Sequence, residues 1–259
     1  MDIINKENLI HALTKFQEGK PFHHCVVDNF FTKKIANELS DEFLEYKSEK
    51  WFSYLNPLED KKALNDWNAF PQLTYAVFNY LNSRSFIDVI QKYVGTELFS
   101  DNGLHGGGWH IHGRGGNLNP HLDYSIHPKL LLQRKVNLII YLSPDLKEED
   151  GGHLGLWNSD SKEEKPTTLA KEISPKFNRA VIFDTTQNSW HGMSRPLSHD
   201  RNMLRKSMAV YYLCEAKEGT SPRQRALFAP RENQIGNKEI EDIIKLRSDV
   251  KRSHSVYKV

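Results

Sequence analysis

The sequence predicts a mainly β fold with flanking helices, from three observations. Apolar residues recur at helical spacing through much of the first hundred residues. From about Gly103 the chain changes to short β-branched and aromatic runs punctuated by Gly, Pro, Asn and Asp. No helical period separates those runs, and strands in unbroken succession close into a sandwich or barrel. Nothing resembling a linker intervenes. Residues 1–259 are therefore expected to form one domain: 1–100 mostly helical support, 101–215 the β core, 216–259 a C-terminal extension.

In chain order, Leu9, Ile10, Leu13 and Phe16 mark a first helix, and the short apolar run 22–28 a strand. An amphipathic helix follows over 31–46, with Ile35, Leu39, Phe43 and Leu44 on one side. Two more helices, 71–81 and 86–94, break near Asn82, Ser83 and Arg84. Strands are expected over 109–112, 134–142, 153–157, 179–183 and 204–213, and a last helix over 238–247.

Composition narrows the function classes. Hydrophobic residues at 38% and charged residues at 26% fit a globular protein and exclude disorder. A net charge of +2 gives no electrostatic case for nucleic acid or membrane partners. Lys245, Arg247, Lys251, Arg252 and Lys258 read as a solvated face and tail. Cys25 and Cys214 stand far apart without metal-type spacing, which suits a reducing compartment. No apolar run reaches signal-peptide length at the N-terminus or the ~20 residues of a membrane span, so the expectation is a soluble, cytoplasmic protein. Nothing in the sequence specifies an oligomeric state.

The chemistry concentrates in a few residues. His121 and Asp123 form the sole His-x-Asp of the chain, and on an extended strand residues two apart share a face. A third ligand candidate, His191, follows the apolar run 180–183 and stands beside Gly192, where backbone can approach closely. Two histidines and one carboxylate on one face of a metal leave the other face open, the arrangement suited to non-haem Fe(II).

The order His-x-Asp, distant His, then Arg205-Lys206-Ser207 on a strand resembles the prolyl-4-hydroxylase-like branch of the iron(II)/2-oxoglutarate dioxygenases. The likeness extends to Leu138-Ile139-Ile140-Tyr141-Leu142-Ser143, to the turn Gly151-Gly152-His153-Leu154, to Pro175-Lys176-Phe177-Asn178-Arg179, and to the strand that begins at Arg205. It covers about 106–213, and Pro21-Phe22 to Phe30-Phe31 looks like the domain entry. Ser143 departs from the asparagine common at that place.

The resemblance implies a double-stranded β-helix (jelly-roll) core with N-terminal helical support. It implies Fe(II) held by His121, Asp123 and His191, and 2-oxoglutarate anchored by Arg205, whose planar fork suits a carboxylate. Tyr141, Ser207 and Asn137 are further 2-oxoglutarate contacts on inward faces. O2 is the oxidant and ascorbate an accessory cofactor. The implied reaction is hydroxylation of an unactivated C–H bond with release of succinate and CO2, and the retained Asp123 argues against halogenation.

A prolyl residue of a polypeptide is the first substrate by analogy; a sugar, lipid or other small metabolite is the alternative. A non-catalytic β-barrel binding module and a zinc-type hydrolase compete, although neither needs Arg205. Tyr211, Arg134 and Trp190, with Trp109 and Trp157, are candidates for the substrate entrance. His110 and His112 lack a following glutamate and read as cavity-lining or core rather than as ligands.

Overall fold

The structure is a computed structural model that describes residues 2–160 and 164–257. Its N-terminal part begins with α1 (Lys6–Leu13), whose first turn is capped by the Asn5 side chain accepting from the Asn8 amide at 3.2 Å. Strand β1 (His24–Val27) and helix α2 (Lys33–Asp41) follow, the latter burying Ile35, Ala36 and Leu39. Within this mostly helical part, β2 (Phe52–Asn56) and β3 (Glu59–Leu64) form a hairpin that the sequence did not suggest. β3 is mostly charged (Glu59, Asp60, Lys61, Lys62), and β2 is short and largely exposed, so neither shows a clear apolar alternation. Helices α3 (Gln72–Leu81) and α4 (Arg84–Val94) come next, and Ser83 caps α4 while Gly95, at φ 79°, ends it.

The β core runs through β4 (Phe99–Ser100), β5 (Gly108–His112), β6 (Asn117–Leu118), β7 (His121–Leu122), β8 (Gln133–Tyr141) and β9 (Leu154–Asp160). It continues through β10 (Lys165–Ile173), β11 (Ala180–Asp184), β12 (His191–Met193), β13 (Arg205–Cys214) and β14 (Leu227–Phe228), before α5 (Lys238–Ser248). All five expected core strands are present within a residue or three of their bounds. The shorter or more polar ones were missed; β10 is almost wholly exposed and carries no pattern to read. The major sheet has the order β1-β11-β8-β13-β5-β3-β2, with β4 on β13 and β6 on β3; the minor sheet is β10-β9-β12-β7-β14. The two antiparallel sheets form the expected jelly roll.

Alternation along the major strands fixes where the core and the site lie. Trp109 and Ile111, Val136, Leu138 and Ile140, and Met208, Val210 and Tyr212 point outward, into one cluster with Phe30, Phe78, Phe86 and Ile90 from the helical layer. The intervening residues His110, His112, Asn137, Ile139, Arg205, Ser207 and Tyr211 point into the roll. The helices thus cover one face of the sheet and leave the other for chemistry. Truncating a fully buried anchor of this layer such as Phe86 would cost roughly 3–5 kcal/mol.

The C-terminal basic stretch is not wholly solvated. Arg247 Nε lies 2.7 Å from Glu59 Oε1, Tyr257 also bonds that oxygen, and Lys61 Nζ stands 3.9 Å from Oε2. Ile240 packs with Leu58 and Phe228 below them. Lys258 lies outside the described residues. Burial alone would raise the Glu59 carboxyl, but Arg247 and Lys61 hold it below its ordinary value. Glu59→Ala is expected to destabilise the chain by about 3–5 kcal/mol, because a fully buried carboxylate leaves two cations behind it. Urea unfolding of the variant measures this; an unchanged midpoint would mean that the pairs contribute nothing net.

Candidate active site

His121 and His191 are paired across the minor sheet: β7 and β12 run antiparallel with these two residues in direct register. Their rings stand 4.4 Å apart between centroids. Asp123, just past the end of β7, closes a triangle, 3.7 Å from Nε2 of each histidine. Ligand atoms of the three lie within 4.8 Å of one another. Each Nδ1 faces a carbonyl, Asn119 O at 2.9 Å for His121 and Ser189 O at 2.8 Å for His191. A carbonyl only accepts, so Nδ1 carries the proton and both Nε2 lone pairs point at the shared centre.

Two features build this geometry, the close approach at Gly192 that the sequence suggested and an arginine that it did not. Gly192 faces the other ligand strand so closely that an added Cβ would stand 2.5 Å from Asn119 O. Arg231 reaches in from beyond β14, with Nη2 donating to Met193 O at 2.7 Å and Nε to Asn119 Oδ1 at 3.1 Å. It thereby ties the strands of both histidines. Asn119 itself is fully buried and donates to Gln234 Oε1 at 2.6 Å. No local sequence signal marks Asn119 or Arg231, because the bonds joining Asn119 to Gln234 and to Arg231 span more than a hundred residues.

Charge is arranged for metal ligation. Burial, then the neighbouring His191, lowers His121 to about 3. Burial also lowers His191. Burial would raise Asp123, but Arg134 and the two histidines hold it well below the usual carboxylate range. Two neutral imidazoles and an ionised carboxylate are the protonation states a divalent metal needs. Asp123 Oδ2 is buried and has no hydrogen-bond partner among the described residues, so the donor set fits Fe(II).

The cavity beside the triad measures about 380 Å³. Arg205 lines it, is buried, and has no carboxylate partner among the described residues. Its Nε donates to Gly152 O at 2.8 Å, and its guanidinium sits 4.8 Å from the centroid of the Tyr141 ring. Gly152 is at φ 72°, and an added Cβ would come within 2.8 Å of Arg205 Cδ, so the Gly-Gly turn makes room for the arginine. Tyr141 OH, both amide atoms of Asn137 and both ring nitrogens of His112 are buried without partners. Each such orphan costs about 1–3 kcal/mol unless a ligand satisfies it. A small dicarboxylate meeting Arg205 and these groups fits. Ser207 shares the inward face.

The entrance residues divide. Tyr211 lines the cavity as expected. Arg134 also lines it, but its guanidinium is already engaged: Nη1 is 3.1 Å from Asp123 Oδ1 and Nη2 donates to His105 O at 2.8 Å. The Tyr124 and Tyr211 rings sandwich it at 3.5 and 3.4 Å. It is paired with Asp123 rather than free. Trp190 does not reach the cavity. It follows the alternation of its strand away from His191 and packs with Leu122 and Ala229. Trp157 packs beside it, and Trp109 stacks on Phe43 in the outer core. His110 and His112 line the cavity, as read.

The buried imidazoles give a pH dependence. Burial lowers His110 to about 3 and His105 to about 4, besides His121. Below about pH 6.5 the unfolded chain takes up protons that the folded chain refuses, so stability falls with pH until these folded values are reached. In the presence of a chelator the thermal midpoint is expected to drop steadily from pH 7 to pH 4. A flat midpoint over that range would show that the histidines are not buried neutral.

Comparison with known proteins agrees with this geometry. The family model described as 2OG-Fe(II) oxygenase superfamily matches residues 107–213. Prolyl 3-hydroxylase OGFOD1 of Mus musculus is 27% identical over 197 residues, which cover 71% of this chain and 32% of that protein. The chain thus spans about a third of that relative's length. A prolyl-4-hydroxylase of Pseudomonas putida superposes with a TM-score of 0.58 at 14% identity, covering 80% of this chain and 99% of its own. A prolyl hydroxylase from Trichoplax adhaerens, in complex with a hypoxia inducible factor oxygen degradation domain peptide fragment, gives 0.55 at 18%, covering 80% and 91%. The two structures establish likeness of fold.

Proposed function

We propose that this chain is a 2OG-Fe(II) oxygenase, the superfamily whose model matches residues 107–213, and that it hydroxylates a prolyl residue of a polypeptide. One observation carries the reading: an open-faced His121, Asp123, His191 cluster shares a cavity with a buried arginine that has no carboxylate partner among the described residues. Fe(II), 2-oxoglutarate and O2 supply the oxidising chemistry when bound, giving hydroxylated product, succinate and CO2.

The protein's part is placement. His121 and His191 present Nε2 because their Nδ1 protons are committed to carbonyls. Arg134 holds Asp123 by one oxygen and leaves Oδ2 for the metal. Arg205 takes the distal carboxylate of 2-oxoglutarate, with Tyr141, Ser207 and Asn137 beside it. Ile139 and Leu154 line the same space with apolar surface that excludes water. Tyr211 borders the place left for substrate.

Ascorbate as accessory reductant and a cytoplasmic location belong to the same reading, and two buried free cysteines support a reducing compartment. No helix among the described residues is long and apolar enough to cross a membrane. The reading takes 1–259 as one catalytic unit, since the helices cover the outer sheet face and Arg247 pins β3.

The test is Fe(II)-dependent succinate formation combined with mass spectrometry of proline-containing peptides for a gain of one oxygen. Oxygen gain on a sugar, lipid or other small metabolite, and on no peptide, would move the substrate class. Absence of iron-dependent succinate would overturn the site assignment.

A further inference from the structure

Glu59, Lys61 and Ala63 alternate along β3, and all three side chains reach the cavity that holds the triad and Arg205. The Lys61 side chain is only 16% exposed. Among the described residues its ammonium meets the Glu59 carboxylate at 3.9 Å, too far for a hydrogen bond, and the Tyr54 ring at 5.0 Å from the centroid. Glu59 is already bonded by Arg247 and Tyr257. An ammonium brings three donors, and holding it in a cavity without an acceptor is costly.

The charge around it is unbalanced. Five cationic side chains line the cavity against two carboxylates. Arg134 pairs with Asp123 and Arg247 with Glu59, and Arg205 faces the co-substrate. Lys61 remains, together with Arg225, which lines the same cavity on the segment before β14 and has no ion pair among the described residues. Loading Fe(II) adds two positive charges and 2-oxoglutarate two negative ones, so the excess persists. The occupant left to balance it is the primary substrate.

We propose that Lys61, assisted by Arg225, is the subsite for an anionic group of the substrate, and that the preferred substrate is an acidic peptide in which aspartate or glutamate flanks the hydroxylated residue. This rests on the prolyl-peptide reading above. In a cavity shielded from water an ammonium–carboxylate contact is far stronger than in bulk solvent, and the same cations repel a basic peptide.

The test uses the Fe(II) and 2-oxoglutarate-loaded protein without oxygen. Labelled proline peptides identical except for a flanking glutamate, glutamine or lysine are titrated by fluorescence anisotropy, then checked for oxygen gain in air. The glutamate peptide is expected to bind at least tenfold more tightly than the glutamine peptide, with lysine weakest. Lys61→Met should bring that ratio close to one, and Lys61→Arg should keep it. 2-Oxoglutarate titrations without peptide establish that the variants are folded. Equal binding of the glutamate and glutamine peptides to the unmodified protein would overturn the acidic preference and leave the prolyl reading standing. A Lys61→Met variant that loses 2-oxoglutarate affinity while keeping the acidic preference would assign Lys61 to the co-substrate instead. If no peptide binds or gains oxygen while succinate still forms, the prolyl reading fails and this proposal falls with it.

Discussion

Replacing His121, Asp123 or His191 by alanine is expected to abolish succinate production and to strip the iron. The cluster has no spare member: among the described residues these three are the group of His, Cys, Asp and Glu side chains whose ligand atoms converge. Two remaining ligands no longer fix the metal, and the loss exceeds what activity assays resolve. The variants should differ in stability. Asp123→Ala removes the counter-charge of Arg134, which is 2% exposed, so about 3–5 kcal/mol is lost by leaving that cation buried without a carboxylate. His191→Ala and His121→Ala remove neutral rings, and their cost is that of a cavity. Iron content after desalting, succinate yield and urea midpoints separate these effects. A variant that kept stoichiometric iron and near-normal succinate would remove that residue from the ligand set.

What the sequence made legible follows from which interactions are local. The His121–Asp123 pair spans only three consecutive residues, and Tyr141 and Arg205 were placed by the resemblance of their strands to the family's, each strand being a continuous local segment. The hairpin β2–β3 was invisible because β3 bears Glu59, Lys61 and Lys62, and the Glu59 charge is balanced by Arg247 on a helix nearly two hundred residues away. Arg247 was read as solvated for the same reason: its partner is a fold away. Trp190 was misplaced by type rather than by pattern, since the alternation that turns His191 inward turns its neighbour outward. Arg134 lies where expected but works on Asp123, a distinction that needs the 3.1 Å contact to be seen.

Arg205 separates binding from folding most sharply. Its guanidinium is buried with one backbone acceptor, Gly152 O, and no carboxylate. Burial therefore lowers its pKa, with the Tyr141 side chain offsetting part of that shift. Such a residue is a strain on the empty protein that the co-substrate relieves. Arg205→Met is expected to raise the 2-oxoglutarate dissociation constant by roughly one to two decades, since a charge-assisted contact is worth ~1.5–3 kcal/mol. Iron should still bind, because Arg205 touches none of the three ligands. The thermal midpoint of the metal-free variant should equal or exceed that of the unmodified chain, and the upward shift that 2-oxoglutarate gives the unmodified protein should vanish. Arg205→Lys should recover little: a lysine keeps the charge but has neither the fork nor the Nε–H that Gly152 accepts. Anaerobic titration of the iron complex and calorimetry with and without 2-oxoglutarate read both quantities. A strongly lowered midpoint with unchanged 2-oxoglutarate affinity would make Arg205 a structural residue and move the anchor to another cation lining the cavity.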